Sequence, residues 1–245
     1  MTLASIYRTV RRELSLVEKE LARTLPSALT VLSEPLGQVL NSGGKRLRPA
    51  LLLLSAKACG YRGKLSISLA AAVELVHSAT LVHDDLLDDA PLRRGAETVN
   101  RRWGARTALL VADHLYLRAL SLINDLAPGR DGLDERIARV ATETAGRVFE
   151  GEVAQLFQAG NHVPSEDEYV RMIDNKTASF FSACCRIGAL LGTSSEDIEN
   201  TLGNYGRNLG LAFQITDDIL DFVADESKLG KSVGSDVLNG ILTLP

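Results

Sequence analysis

The sequence is poor in several features that mark other classes of protein. Its three cysteines, Cys59, Cys184 and Cys185, are an odd number with no disulfide framework and no zinc-ligand spacing, which predicts a reducing, cytoplasmic setting. Aromatic residues make up only 5% of the chain, which argues against a nucleic-acid module that stacks bases. The formal net charge is −4, so no overall positive field attracts nucleic acid or an anionic membrane. An anionic ligand would therefore have to be held by a local cluster of cations.

Long apolar runs and a signal-peptide pattern are also missing. The first residues, MTLASIYRTVRREL, are charged from Arg8 onward and have no apolar centre. The longest uninterrupted apolar run, Ala50 to Leu54, is far shorter than the roughly 18 residues of a membrane span. We therefore expect a protein without stable membrane insertion.

Helical periodicity, in contrast, extends along almost the whole chain. Besides the helix that ends near residue 90, the apolar spacing predicts helices at 3–24, 49–60, 104–127, 133–159, 166–191 and 195–223. A proline-spaced connector, containing Pro26 and Pro35, separates the first two of these. No run alternates with a period of two, and all seven prolines fall near the proposed boundaries. The sequence predicts an all-α protein with a single domain over residues 1–245.

One stretch, Glu74–Gly95, combines a helix with a dense set of charges: ELVHSATLVHDDLLDDAPLRRG. Asp84 and Asp88 are four residues apart, so one helix face presents both carboxylates, and His77 lies two turns earlier on the same stripe. Carboxylates this close repel each other unless a cation lies between them, and oxygen-only ligands favour a hard cation such as Mg2+. Beyond Pro91, which ends the helix, the planar guanidinium groups of Arg93 and Arg94 suit a diphosphate. The alternative is a solvated acidic helix end followed by a basic turn.

Three further stretches carry similar chemistry. GGKRLRP, residues 43–49, places Lys45, Arg46 and Arg48 after two glycines and just before a helix start, although a surface basic turn would look the same. NKTAS, residues 175–179, puts Lys176 in an otherwise apolar helix, where a lysine usually extends to the surface. FQITDDILDF, residues 213–222, repeats the first acidic pattern on another helix. One such acidic pattern is weak evidence, but two patterns flanked by cations form a specific combination.

The second acidic pattern places four side chains on one broad helix face: Gln214, Asp217, Asp218 and Asp221.

These motifs together resemble the trans-isoprenyl diphosphate synthases, or polyprenyl synthetases, from about residue 40 to the end of the chain. The first aspartate-rich motif of that family matches residues 84–88 and the second matches residues 217–221, with GGKRLRP, KTA and GKSVGSD in the expected order. The resemblance is greatest to the synthases of medium- and long-chain products. It implies a helical bundle around a deep central cavity, a homodimer, and the head-to-tail condensation of isopentenyl diphosphate with an allylic diphosphate.

The resemblance also implies a role for each matching residue. Mg2+ would be bound by Asp84, Asp88 and Asp217, supported by Asp85, Asp218 and Asp221. The allylic diphosphate would be bound by Arg93, Lys176 and Lys231, and isopentenyl diphosphate by Lys45, Arg48, His77 and Arg94. The backbone near Thr177 and the side chain of Gln214 would stabilise the allylic carbocation through oriented dipoles. His114 and His162 have no evident role, and His83 is expected to support the helix.

Two departures from the family pattern lie near the end of the chain. Ile241 stands where the last motif usually has a lysine or another polar residue, which leaves the positive charge of this loop to Lys228 and Lys231. The chain stops at Pro245, whereas the family continues through several more helices, so we expect a shortened form or a fragment.

Three alternative functions remain open at this point. A geranylgeranyl-length synthase would share every motif. A terpene cyclase would share the fold, but its second metal motif has an Asn/Ser/Glu pattern. A non-catalytic subunit of a heteromeric synthase would be expected to lose one of the two aspartate-rich motifs.

Product length and assembly complete the expectations. Short-chain synthases place an aromatic ring four or five positions before the first aspartate, where this chain has Thr80 and Ala79. We therefore expect a product longer than farnesyl. A homodimer is expected to form through residues 104–159, which carry a set of apolar side chains beyond the needs of one core: Leu109, Leu110, Leu117, Leu120, Val148 and Phe149.

Overall fold

A computed structural model describes residues 3–24, 30–125, 132–158, 164–193 and 195–223 of the chain. Eleven α-helices occur in these ranges: α1 Leu3–Tyr7, α2 Arg11–Thr24, α3 Ser33–Asn41, α4 Leu47–Ala58, α5 Leu65–Leu87, α6 Val99–Trp103, α7 Ala105–Asn124, α8 Leu133–Gln158, α9 Glu166–Ile173, α10 Ser179–Gly192 and α11 Glu196–Val223. A 3₁₀ turn, Thr30–Leu32, precedes α3, and a π-helical turn, Asp174–Ala178, joins α9 to α10. The all-α prediction is confirmed. The deep central cavity stays a prediction.

Helix α5 is the central helix of the bundle. It packs against α7 along much of its length and also touches α2, α4 and α10. Leu75 and Ala79 of α5 are completely buried, in the same cluster as Leu52 of α4, Leu115 of α7 and Phe181 of α10. Burying each such leucine or phenylalanine side chain stabilises the fold by about 1.5–3 kcal/mol. The position of the first aspartate-rich motif is therefore fixed by the contacts of α5 with several other helices.

By length and composition α5 could cross a membrane, although 61% of its most apolar window is buried inside the bundle. Glu74 and His77 interrupt α5, so the helix contains no long uninterrupted apolar run although its average composition is apolar. A mostly buried core helix passes the same test of length and composition, so the absence of stable membrane insertion stays a prediction.

Several predicted boundaries differ from those in the structure. The first predicted helix is broken between Tyr7 and Arg11, and the proline-spaced connector contains α3, which includes Pro35 in its first turn. Proline is tolerated there because the first turn has no intrahelical use for its N–H. The predicted helix 166–191 is divided by the π-helical turn, and its start is a capping box between Ser165 and Glu168.

The segment after α5 contains a hairpin that the periodicity does not predict. Strands β1, Leu92–Arg93, and β2, Ala96–Glu97, pair antiparallel around Arg94 and Gly95. Both turn residues have positive φ, 53° and 79°, which a hairpin turn of type I′ requires. Two-residue strands are too short to show an alternating pattern, so the sequence gives no signal for them.

Candidate active site

The first aspartate-rich motif lies at the carboxyl end of α5, and its three aspartates have different surroundings. The helix ends at Leu87, where the backbone N–H of Asp88 donates to the carbonyl of Asp84 over 2.9 Å. Asp88 is exposed and Asp84 half-buried, whereas Asp85 is 6% exposed. The Nε atom of Arg93 pairs with Asp85 over 2.6 Å. Asp88 thus faces solvent and Asp84 is only partly accessible, while Asp85 ties the hairpin to the helix.

The surroundings of Asp84 are crowded with charge. The Nζ atom of Lys176 lies 3.8 Å from Oδ1 of Asp84 and 2.5 Å from Oε2 of Glu152, and it donates to Gln155 over 3.0 Å. Burial raises the pKa of Asp84 to about 6, although Lys176 lowers it, and the charges of Glu152 and Asp88 raise it further. Several carboxylates therefore compete here for one ammonium group.

Glu152 and Gln155 were not predicted from the sequence. They are three residues apart on α8, so they share a face of that helix. Their spacing would have suggested a polar face, but nothing in the sequence says that this face meets α5.

Lys176 and Thr177 are brought to this place by the π-helical turn. The side chain of Lys176 reaches Asp84 and Glu152, while the hydroxyl of Thr177 donates to Oε1 of Gln214 over 2.7 Å. The turn packs closely against α8 and α11 because each of these helices has a glycine at the contact. A Cβ at Gly151 of α8 would lie 2.5 Å from the backbone nitrogen of Lys176. A Cβ at Gly210 of α11 would lie 2.6 Å from Cα of Ala178. The turn is therefore held tightly between α8 and α11.

An ion-pair cluster anchors the start of the π-helical turn. Asp174 accepts from Nη2 of Arg147 over 2.9 Å and from Nε of Arg207 over 2.7 Å. Arg147 also donates to the side-chain oxygen of Asn175 over 3.0 Å. Charge-assisted hydrogen bonds from two different helices thus fix this end of the turn.

The second aspartate-rich motif lies in the last turns of α11. Asp217 is exposed, whereas Asp218 is 4% exposed and Asp221 fully buried, so the predicted single face is divided between solvent and the interior. Asp218 accepts from the hydroxyl of Tyr169 over 2.5 Å and from Nε2 of Gln214 over 2.8 Å. These bonds fix the Gln214 amide so that its oxygen faces Thr177. Tyr169, whose pKa is raised by burial and by Asp218, was not predicted.

The first turn of α4 carries Arg48, which contacts His77 of α5. Nη1 of Arg48 is 3.2 Å from Nε2 of His77, and its guanidinium carbon lies 5.1 and 4.8 Å from the ring centroids of Phe180 and Phe181. Burial lowers the pKa of Arg48, and burial together with Arg48 holds the pKa of His77 well below its ordinary value. This part of the site thus combines a desolvated cation with a neutral imidazole.

Arg94 joins the hairpin to the same loop. Its Nη1 atom donates to the carbonyl of Gly43, and a Cβ at Gly44 would lie 3.2 Å from that nitrogen. Lys45 is exposed beside it. The guanidinium of Arg46, the third cation of this segment, is bound by Glu18 and Glu74.

The structure thus brings most of the predicted residues into contact as pairs: Asp84 with Lys176, Asp85 with Arg93, Arg48 with His77, Thr177 with Gln214, and Gln214 with Asp218. Lys231, Lys228, Ile241 and His162 lie outside the described residues. Within those residues, no group of three or more His, Cys, Asp or Glu side chains could hold a metal ion.

Comparison with known proteins gives a consistent result. The family model described as "Polyprenyl synthetase" matches residues 29–245. The "Heptaprenyl diphosphate synthase component 2" of Geobacillus stearothermophilus is 39% identical over 245 residues, which are 100% of this chain and 75% of that protein. The "Octaprenyl diphosphate synthase" of Escherichia coli (strain K12) is 35% identical, over 100% of this chain and 74% of that protein.

A solved structure shares the fold. The polyprenyl synthase from Caulobacter crescentus CB15, complexed with calcium and isoprenyl diphosphate, superposes with a TM-score of 0.92 at 32% identity. The match covers 100% of this chain and 73% of that one.

Proposed function

This chain belongs to the polyprenyl synthetase family, and we propose that the charged side chains at the carboxyl end of α5 form its active site. The enzyme is a prenyltransferase that condenses isopentenyl diphosphate with an allylic diphosphate to give a polyprenyl diphosphate. One observation carries the site assignment. Lys176 contacts Asp84 of the first aspartate-rich motif, and its neighbour Thr177 contacts Gln214, which binds Asp218 of the second. The π-helical turn therefore connects the two motifs.

The acidic part of this site suits a divalent cation, which we propose is Mg2+. Its protein ligands would be Asp84, Asp88 and Asp217, with Asp85, Asp218 and Asp221 as support. The crowding of carboxylates around Asp84 fits a hard cation, and the related structure from Caulobacter crescentus contains calcium. When bound, the cation neutralises the charge that develops on the departing diphosphate.

The basic side chains divide between the two substrates. Arg93 and Lys176 neighbour the aspartates and would hold the allylic diphosphate, together with Lys231. Lys45, Arg48, His77 and Arg94 would hold isopentenyl diphosphate. Arg94 and Arg48 reach this side from the hairpin and from α4, so both elements would close around the same anion.

The side chains between the two substrate positions suit carbocation chemistry. The allylic carbon–oxygen bond breaks, and the electron pair leaves with the diphosphate. The hydroxyl of Thr177 donates its hydrogen bond to the amide oxygen of Gln214. The lone pairs of the Thr177 hydroxyl and the amide oxygen of Gln214 therefore present partial negative charge to the allylic carbocation. The alkene of isopentenyl diphosphate forms the new carbon–carbon bond, and a proton is then lost to the released diphosphate. No protein nucleophile is required.

Substitution of the two motifs tests this assignment. Asp84→Ala and Asp217→Ala should abolish turnover while circular dichroism stays that of the parent, and the exposed Asp113→Ala on α7 serves as control. Chelation by EDTA should stop turnover and added Mg2+ should restore it. Turnover at the parent rate in both motif variants would refute the metal assignment.

We propose that the chain forms a homodimer through α7 and α8. Four leucines of α7, Leu109, Leu110, Leu117 and Leu120, are 47–63% exposed, and Phe149 of α8 is 70% exposed. Exposed apolar patches of this kind mark protein interfaces.

A second arrangement is a complex with a different subunit, because one relative is named as component 2 of its synthase. The purified chain, incubated alone with labelled isopentenyl diphosphate and an allylic primer, distinguishes the two. Chain elongation supports the homodimer, and activity that needs another protein supports the heteromer.

A cytoplasmic setting also stays a proposal. All three cysteines are free, including the adjacent and buried Cys184 and Cys185 of α10, as a reducing compartment favours.

A further inference from the structure

Arg46 lies between two proposed ligands of isopentenyl diphosphate, Lys45 and Arg48, but its own guanidinium is paired with carboxylates. Its Nε atom is 2.6 Å from Glu18 and its Nη1 atom is 2.6 Å from Glu74. The side chain of Arg46 is only 13% exposed. Two carboxylates therefore balance this guanidinium before any substrate arrives.

The guanidinium of Arg46 also connects three helices to the loop. Nη2 donates to Glu18 of α2 over 3.1 Å and to the carbonyl of Leu40 in α3 over 3.2 Å, while Nη1 binds Glu74 of α5. Glu74 lies three residues before His77, which contacts Arg48. Glu74 and His77, three residues apart on α5, thus hold Arg46 of the loop and Arg48 of α4.

The backbone of Arg46 is in the left-handed region, with φ at 47°. This conformation is unfavourable for a residue with a Cβ, so the surrounding contacts must maintain it. Tyr7 donates to the carbonyl of Lys45, and Arg94 donates to that of Gly43. The ion pairs of the Arg46 side chain with Glu18 and Glu74 are further contacts that hold the loop in this conformation.

Glu74 gives the arrangement a second consequence. It is 4% exposed, and within the described part of the chain its Oε2 atom has no hydrogen-bond partner. Its charge also acts on Arg48 and Arg94. Without Arg46, the buried carboxylate of Glu74 would lose its partner and would attract Arg48 and Arg94, which are proposed to bind the substrate.

We infer that Arg46, paired with Glu18 and Glu74, is a positioning residue for isopentenyl diphosphate. Its ion pairs set the backbone from which Lys45 and Arg48 extend, and they keep Glu74 from competing with the diphosphate. This inference rests on the proposed binding of isopentenyl diphosphate by Lys45, Arg48, His77 and Arg94. It predicts a selective effect on one of the two substrates.

Steady-state kinetics of the purified chain test this prediction, with isopentenyl diphosphate and farnesyl diphosphate varied separately. Arg46→Met should raise KM for isopentenyl diphosphate by roughly ten- to hundredfold and leave KM for farnesyl diphosphate close to that of the parent. The double variant Arg46→Met, Glu74→Gln should recover part of this loss, because the competing charge is gone. Glu18 is half exposed, so Glu18→Gln should fold well and raise the same KM by a smaller factor.

Two controls separate the possible failures. Arg136→Met removes a partner from another buried carboxylate, Glu199, and should lower Tm without changing either KM. Lys45→Ala tests the substrate site itself. If Lys45→Ala raises KM for isopentenyl diphosphate but Arg46→Met and Glu18→Gln do not, the positioning role is wrong while the site stands. If Lys45→Ala also leaves that KM unchanged, the proposed binding site is wrong and the inference fails with it.

Discussion

The Nε2 atom of His77 lies 3.2 Å from Nη1 of Arg48, a contact that is favourable only when the guanidinium donates and a neutral imidazole accepts. Burial and the charge of Arg48 both lower the pKa of His77. The tautomer with its proton on Nδ1 follows from this contact. His77 therefore acts as a hydrogen-bond acceptor that orients Arg48, and it adds no positive charge to the diphosphate site near neutral pH.

The depressed pKa of His77 predicts a particular pH dependence of stability. As the pH falls below about 6.5, the unfolded chain takes up a proton at this residue and the folded chain does not, so stability falls until the lower folded pKa is reached. Above that window His77 contributes no pH dependence. His77→Gln keeps an acceptor for Arg48 and removes the titration. Urea unfolding between pH 5 and 8 measures the free energy of unfolding, which should fall less on the acid side for the variant than for the parent. The same pH dependence in both proteins would contradict the prediction.

The contact between Gly151 and the π-helical turn predicts a large effect from one methyl group. Gly151→Ala would place Cβ 2.5 Å from the nitrogen of Lys176, so the turn must move, at a cost of about 1–3 kcal/mol. The displacement should also lower kcat by about tenfold or more, since Lys176 and Thr177 lose their positions.

Gly146→Ala is the matched control for this variant. Gly146 lies on the same helix, and among the described residues no atom beyond that helix comes within 4 Å of the place that its Cβ would take. Alanine there should therefore stabilise the protein by about 0.5–1 kcal/mol. Chemical denaturation and steady-state rates measure both variants. Equal free energies of unfolding and equal kcat values for the two variants would show that the turn tolerates displacement.

The length of the product is predicted to exceed farnesyl. From Ala72 to Asp84 helix α5 rises about 18 Å at roughly 1.5 Å per residue, and no aromatic residue occupies the positions four and five before Asp84. Thr80 is half-buried, whereas Ala79 is fully buried in the core. Thr80→Phe should therefore shorten the product with little change in Tm.

Ala79→Phe should shorten the product as well, but at a cost of about 1–3 kcal/mol of stability, because the ring must displace core atoms. Chromatography of the dephosphorylated products measures the length. A parent enzyme that stops at farnesyl, or phenylalanine variants with an unchanged product, would contradict the prediction.

The apolar face of α7 predicts an association that a single charge should disrupt. Leu117 is 63% exposed, so Leu117→Glu should fold normally and shift the protein from dimer to monomer in sedimentation at micromolar concentration. Ile198→Glu, at a position on α11 that is 45% exposed, is the control for a charge placed elsewhere. A parent chain that sediments as a monomer would rule out the homodimer.

The motifs that carry charge could be located from the sequence, because residue spacing places Asp84 and Asp88 on one helix and Gln214 and Asp218 on another, with Lys176 in the KTA segment between them. The side chains that these motifs contact could not be located in this way. Glu152, Gln155 and Tyr169 look like ordinary surface or core residues until the packing of α8 and α9 brings them to the site. The sequence likewise shows three cations close together, but not that one of them, Arg46, meets Glu18 and Glu74.

Local geometry set a second limit on prediction. A π-helical turn differs from an α-helix by one residue in its hydrogen bonds, and no residue type in DNKTA specifies it. It results from tertiary contacts at Gly151, Gly210 and Asp174. The hairpin around Arg94 is likewise too short to leave a periodic signal.

The apolar composition of α5 has a consequence for the synthesis of the protein. The ribosome completes Leu65–Leu87 before it makes α7 and α10, which cover this helix in the folded bundle. During that interval the nascent chain presents a helix that by length and composition could enter a lipid bilayer. Exposed apolar surface of this kind is where chaperones bind and where aggregation starts. The helix that positions the aspartates is thus also a segment whose burial is completed only after later helices have been translated.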